Sequence, residues 1–259
     1  MKQRNHRQTA HGERNKIFAL IAVAIILIGV SFWAFRYYQA TLLSFEGKIA
    51  PNERTEVTDN NNEAETQIPI SLPDAKDLVV PYAAQAPFGN WTVHEESCEE
   101  AALYMYRGLL EGTIYPNNRI PDAESDPVFR AMKAWQVNKY GKEPDLTMTA
   151  LGAFASSYYG YVPTVKKGIV EADIKAAIVA GHPVIVPVMT HSLGNTMYGP
   201  QTTYHVLLIK GYDSTGVITN DAGVGNGPGH HYDWNILWQA IDAQTAEMGV
   251  GREMLYLTK

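Results

Sequence analysis

The chain has 259 residues, 46% hydrophobic and 19% charged, a balance that suits a folded protein and not a disordered one. A formal net charge of −6 argues against a nucleic-acid partner bound through a basic surface. The single cysteine excludes an internal disulfide framework and a multi-cysteine zinc site, and it leaves one free thiol to account for.

Residues 1–16 form a basic tail, and residues 17–35, IFALIAVAIILIGVSFWAF, are an apolar run without a charge. At about 1.5 Å per residue the run spans roughly 28 Å, close to the ~30 Å hydrocarbon layer of a bilayer. It exceeds the ~7–15 apolar residues of a signal-peptide core, so an uncleaved transmembrane anchor is expected. Lys2, Arg4, Arg7, Arg14 and Lys16 precede it, against Arg36, Lys48 and Arg54 after it. That bias places the N-terminus in the cytoplasm and the main domain outside the cell membrane. Residues 36–78 read as a polar linker, with Asn60, Asn61 and Asn62 among Glu53, Glu56, Asp59, Glu63 and Glu65. Such a stretch buries too little apolar surface to offset the entropy of ordering it. Residues 79–259, about 180 in number, suffice for one domain with its own core.

Within that domain, Val79 to Tyr82 reads as an extended entry, followed by a loop from Gln85 to His94 rich in Pro, Gly and Asn. A helix is expected from Ser97, with Glu100 three residues on completing a capping box and Gly112 as its stop. A second takes Asp126 as cap, Pro127 as first residue and Gly141 as terminator. A third is expected over 148–158 and a fourth over 171–180. Strand character follows at Pro183 to Met189, Tyr204 to Tyr212 and Val217 to Asn220, with turn chemistry at residues 213–216. A Gly-rich loop from Asp221 to Gly229 is expected to act as a mobile flap; a helix near 235–246 and a strand over 253–257 close the chain. Helices first and strands later make an α+β pattern, with N-terminal helices packed on an antiparallel sheet.

The free thiol is Cys98. If Ser97 caps the helix, Cys98 is its first residue, where unpaired N–H groups and the helix dipole favour a thiolate. Glu95, Glu96, Glu99 and Glu100 oppose that charge, so a cationic partner is needed, and histidine is the usual one. Of eight histidines, His94 is expected to be exposed, while His205 stands near the start of an apolar strand, on the face of Leu207 and Ile209. If the hairpin pairs Gly211 with Val217, Asp221 falls opposite Leu207 and diagonal to His205, close enough to orient the imidazole. An odd slip of register would send Asp221 to the other face, leaving Asp213 or Asn220 as alternatives. Gln85, in the loop ahead of the helix, supplies a side-chain amide that with the Cys98 N–H could form an oxyanion hole. His230, His231 and Asp233 match no common zinc spacing, and no cofactor is called for.

Taken together, Gln85 with Pro87, Gly89-Asn90-Trp91 and Ser97 to Ala102 resemble the opening motif of bacterial peptidases related to the double-glycine (bacteriocin-leader) cysteine peptidases. Gly181 to Ile185, Tyr204-His205-Val206 to Asp213, and Val217 to Asp221 match the later blocks in order. The resemblance implies a papain-like fold, Cys98 as nucleophile, His205 as general base and acid, Asp221 as orienting residue and Gln85 as oxyanion donor. Many such relatives carry Gly-Pro after the cysteine, where this chain has Glu99-Glu100. The expectation is therefore a membrane-anchored cysteine peptidase acting on a peptide or protein substrate, with basic residues favoured near the scissile bond. An inactive peptidase-like binding module and a cell-wall amidase or endopeptidase with the same Cys–His pair are the alternatives.

Overall fold

A computed structural model describes residues 72–200 and 203–259. The expected anchor, the basic tail and most of the linker lie outside them; among the described residues no helix is long and apolar enough to cross a membrane. The strands are β1 (Lys76–Asp77), β2 (Val162–Lys167), β3 (Val184–Met189), β4 (Tyr204–Tyr212), β5 (Gly216–Asn220), β6 (Pro228–Asp233) and β7 (Glu253–Thr258). They form one sheet in the order β2-β7-β3-β4-β5-β6, every neighbour antiparallel, and β1 pairs with the far end of β4. The helices are α1 (Trp91–His94), α2 (Cys98–Glu111), α3 (Asp122–Tyr140), α4 (Met148–Tyr159), α5 (Glu171–Val179) and α6 (Trp234–Met248).

Side chains alternate across a strand, and both faces of β4 are used. Val206 and Leu208 join Leu103, Phe129 and Phe154 from α2, α3 and α4 in one core. Leu207 and Ile209 join Ile178, Leu237 and Ile241 from α5 and α6 in another. The expected helical layer is thus two layers, one on each face. A strand covered on both sides has no need of polar alternation, which is why β3 and β4 read as continuous apolar runs.

Besides the two-residue β1, the strands absent from the sequence reading are the two edges of the sheet. Strand β2 carries Pro163, Lys166 and Lys167, and β6 carries Pro228 and Gly229. Edge strands tolerate proline and charge because one side of their backbone is unpaired, and those residues hide the strand signal. The folded domain also starts ahead of residue 79. Leu78 N–H donates to Lys210 O, and the Tyr212 hydroxyl donates to Pro73 O, so the last linker residues lie along β4.

Helix starts differ from expectation for tertiary reasons. Helix α3 begins at Asp122, where Pro121 O accepts the N–H groups of Glu124 and Ser125, and Pro127 lies inside the helix. Helix α2 begins at Cys98 after Ser97, as the spacing predicts, yet the capping box is absent. The Ser97 hydroxyl meets His94 Nδ1 at 3.2 Å, and Glu100 turns inward to Gln136, so both capping groups are taken by other side chains.

Helix α2 lies so close to the entry segment that a Cβ on Gly108 would stand 2.5 Å from Cγ of Pro81. Helix propensity favours alanine over glycine by about 1 kcal/mol, whereas overpacking against a rigid ring costs about 1–3 kcal/mol. Gly108→Ala is therefore expected to lower the melting temperature, measured by circular dichroism, by several degrees.

Candidate active site

Cys98 opens α2, and its side chain is almost wholly buried, 5% exposed. The helix N-terminus behind it is braced by a chain of polar contacts. Arg130 pairs with Asp126 at 2.8 Å, Asp126 Oδ1 meets His94 Nε2 at 3.0 Å, and His94 Nδ1 meets Ser97 Oγ. His94, expected in an exposed loop, is fully buried against Phe129 because this chain satisfies both ring nitrogens. It is a support for the turn before Cys98 and lies outside the cleft.

Opposite, β4 presents His205 at its second residue. His205 Nε2 stands 3.0 Å from Asp221 Oδ1, and both side chains are buried. The register that joins them has two parts. Near the turn Tyr212 faces Val217, one step away from the expected Gly211–Val217 pairing. A bulge between Ile209 and Gly211 absorbs one residue, so that Leu208 faces Asn220 and Asp221 emerges on the face of His205. The alternative carboxylate and amide are engaged elsewhere. Asp213 accepts from Thr215 and Gly216 within the turn, and Asn220 donates to the carbonyls of Val80 and Pro81.

Asp221 is held by more than histidine. The Tyr198 hydroxyl donates to Oδ1 at 2.5 Å, the Tyr232 hydroxyl to Oδ2 at 2.7 Å, and the Gly223 N–H to Oδ1 at 3.2 Å. Burial alone would raise its pKa, but the hydrogen bond and charge of His205, with the two tyrosine hydroxyls, hold it below the usual carboxylate value. Neither tyrosine was legible beforehand, since Tyr198 comes from a loop and Tyr232 from the unread edge strand. The Gly-rich segment packs closely at two of its glycines. A Cβ on Gly223 would lie 3.1 Å from Cε1 of His205, and one on Gly227 only 1.7 Å from Asp221 O. Those glycines permit backbone to pack against the histidine–carboxylate pair.

Gln85 lies on the loop before α1; its N–H donates to Ala222 O, tying that loop to the residue after Asp221. Its side-chain amide donates to the carbonyls of His94 at 3.3 Å and Glu95 at 2.7 Å. Gln85 and His205 line a cleft of about 510 Å³, whose walls include Trp91, Glu95, Glu96 and Asp145. Tyr198, Met197 and Tyr204 also face it. Of the four expected residues, Gln85 and His205 line this cleft, and the buried Cys98 and Asp221 are not among its lining residues.

The thiol is not in an activating environment. Burial pushes the Cys98 pKa up, and the Glu99 carboxylate, which accepts the thiol hydrogen at 2.8 Å, pushes the same way, as does Glu100. The backbone N–H of Val206 works in the opposite sense. Burial also raises Glu99 to about 7 and Glu100 well above an ordinary glutamate. These two residues, read from sequence with Glu95 and Glu96 as charges opposing a thiolate, lie inside the protein; four carboxylates in six residues gave no signal of which ones turn inward.

A thiol at a helix N-terminus and a strand-borne histidine–carboxylate pair on one antiparallel sheet are the parts of a papain-like cysteine peptidase domain. The chain belongs to the Peptidase_C39 like family, whose model matches residues 77–246. Among solved structures it is similar to one provisionally described as a C39-like peptidase from Bacillus anthracis, at 14% identity, with 72% of this chain and 99% of that one covered and a TM-score of 0.46. No curated protein matches it.

The buried acids fix a pH dependence of stability. A carboxyl whose pKa is raised in the folded state binds its proton there more tightly than in the unfolded chain. Its stabilisation is complete below the unfolded pKa and is lost as pH rises toward the folded value, for Glu99 about 7. Asp221, shifted down, contributes nothing to change within that window. The melting temperature is expected to fall by about 5 °C between pH 5 and pH 8. The fall should be smaller in Glu100→Gln, as differential scanning fluorimetry would record.

Proposed function

We propose that this domain is an extracytoplasmic cysteine peptidase, tethered to the cell membrane by residues 17–35, that cleaves peptide bonds through Cys98 and His205. The observation that carries the reading is the commitment of His205 Nε2 to a buried, multiply held Asp221 beside the N-terminus of the Cys98 helix. With Nε2 so engaged, Nδ1 is the ring nitrogen that exchanges protons in the reaction. The sulfur attacks the scissile carbonyl as its proton passes to His205 Nδ1, His205 gives that proton to the departing amine, and water then releases the acyl group from sulfur. Asp221 holds the ring orientation and supports its positive charge. The Cys98 N–H and the Gln85 amide receive the oxyanion, one Gln85 N–H turning from a loop carbonyl to the substrate.

The test is labelling with a thiol-directed electrophile followed by mass spectrometry, alongside peptide hydrolysis by the same protein. Cys98→Ala should abolish both, and His205→Ala should suppress both. Gln85→Ala should lower kcat by about 10²–10³ with labelling retained, since only the oxyanion loses a donor. One observation favours a second reading, an inactive binding module: the thiol donates to a buried carboxylate and is held neutral. Absence of hydrolysis together with labelling indifferent to His205→Ala would establish that reading instead.

The cleft supports a preference for cationic side chains. Glu95, Glu96 and Asp145 line it beside Trp91, whose ring face also attracts a cation. Burial and then the charge of Asp145 raise the Glu96 pKa, a cost that a bound Lys or Arg would relieve. In a peptide library, Lys or Arg near the scissile bond is expected to raise kcat/KM by about tenfold, and Asp145→Asn to reduce the preference.

A further inference from the structure

We infer that Glu99 is a proton-operated brake on Cys98, a group that holds the nucleophile as a thiol when ionised and releases it when protonated. The inference rests on the peptidase reading of the site and concerns how that site is switched. Its geometry is that of a clamp. Glu99 Oε2 accepts the Cys98 thiol hydrogen at 2.8 Å, while Oε1 accepts the N–H of Leu146 at 3.0 Å. Both residues are buried, so no water competes for either oxygen. The thiol proton is therefore aimed at the carboxylate.

Two charge states follow. With Glu99 ionised, a thiolate would lie within a hydrogen-bond distance of a carboxylate in a site of low polarity, a repulsion that burial leaves unscreened. With a proton taken up on Glu99 Oε2, the same contact becomes an O–H donor to sulfur once the thiol proton has passed to His205. The change is one proton gained by Glu99 and one moved from sulfur to His205, with no other bond altered. That form, with His205 protonated and free to pass its proton to the leaving amine, is the reactive one. Raising the pH removes the proton from Glu99, and the ionised carboxylate then holds Cys98 as the thiol and locks the site.

The groups that act on Glu99 set where this occurs. Burial dominates and holds its pKa near 7, while the Cys98 and Leu146 hydrogen bonds oppose the rise. Asp145, on the segment leading into α4, adds negative charge, and Glu100 is the buried neighbour on α2. Tyr204 on β4, whose hydroxyl donates to Leu146 O at 2.5 Å, is the titratable group facing the pair from the sheet. The switch is thus placed at the neutral border, where a modest acidification releases the thiolate.

The experiment is the rate of Cys98 alkylation by iodoacetamide from pH 5.5 to 8.5, on the full chain and on Glu99→Gln. Glutamine keeps the acceptor for Leu146 and offers the sulfur an N–H, so the variant should react at least about tenfold faster than wild type at pH 7.5. The two rates should converge near pH 5.5. An unchanged or slower variant at pH 7.5 overturns the brake. Should the variant fail to fold, the wild-type profile decides: a rate that falls between pH 6 and 8 supports the inference, and one that climbs with pH, as for an ordinary thiol, overturns it. A retained Glu99→Gln effect on alkylation with no peptide hydrolysis in any protein would sink the peptidase reading and leave the brake standing.

Discussion

The buried carboxylate of Asp221 is the interaction on which the rest of the site depends. A lone anion at that depth would be costly, and here it is offset by four donors: His205, Tyr198, Tyr232 and the Gly223 N–H. Those donors come from β4, from the loop between β3 and β4, from β6 and from the Gly-rich turn. One charge therefore gathers four separate parts of the fold around the histidine. The bulge in β4, the edge position of β6 and the absence of a Cβ at Gly223 all read as conditions for that convergence.

The other half of the site is organised by burial of acids instead of their exposure. Glu99 and Glu100 sit at the start of α2, where the helix dipole favours negative charge, yet both are inside the protein and burial raises their pKa values. Desolvation wins over the dipole because the dipole contributes less than a kilocalorie or so, whereas an uncompensated buried charge costs several. Cys98 consequently shares its surroundings with two carboxyl groups that burial has made weaker acids. The acidic residues that do reach the cleft, Glu95, Glu96 and Asp145, are a separate set.

Much of the architecture was legible in the sequence because central elements carry strong local signals. Strand β4 runs from Tyr204 to Tyr212, as its apolar run indicates, and α4 starts after Thr147, whose hydroxyl accepts the Ala150 N–H. The edge strands were not legible, since proline, lysine and glycine mask strand character where one side of the backbone needs no partner. The start of α3 was misplaced because Asp126 and Pro127 imitate a helix start, whereas Asp126 serves as partner to His94 and Arg130.

The sequence by itself determined the separate chemical parts: one thiol at a helix start, a histidine on an apolar strand, a carboxylate after the next strand and an amide ahead of the helix. Local patterns suffice for that, because capping, periodicity and turn chemistry act over a few residues. Only the tertiary structure decided how these parts are charged and held. The bulge set the face of Asp221, two tyrosines distant in sequence secured it, and packing turned Glu99 inward against the thiol it hydrogen-bonds. The physical reason is that pKa and orientation depend on what excludes water from a group, and that is fixed by contacts between residues far apart in the chain.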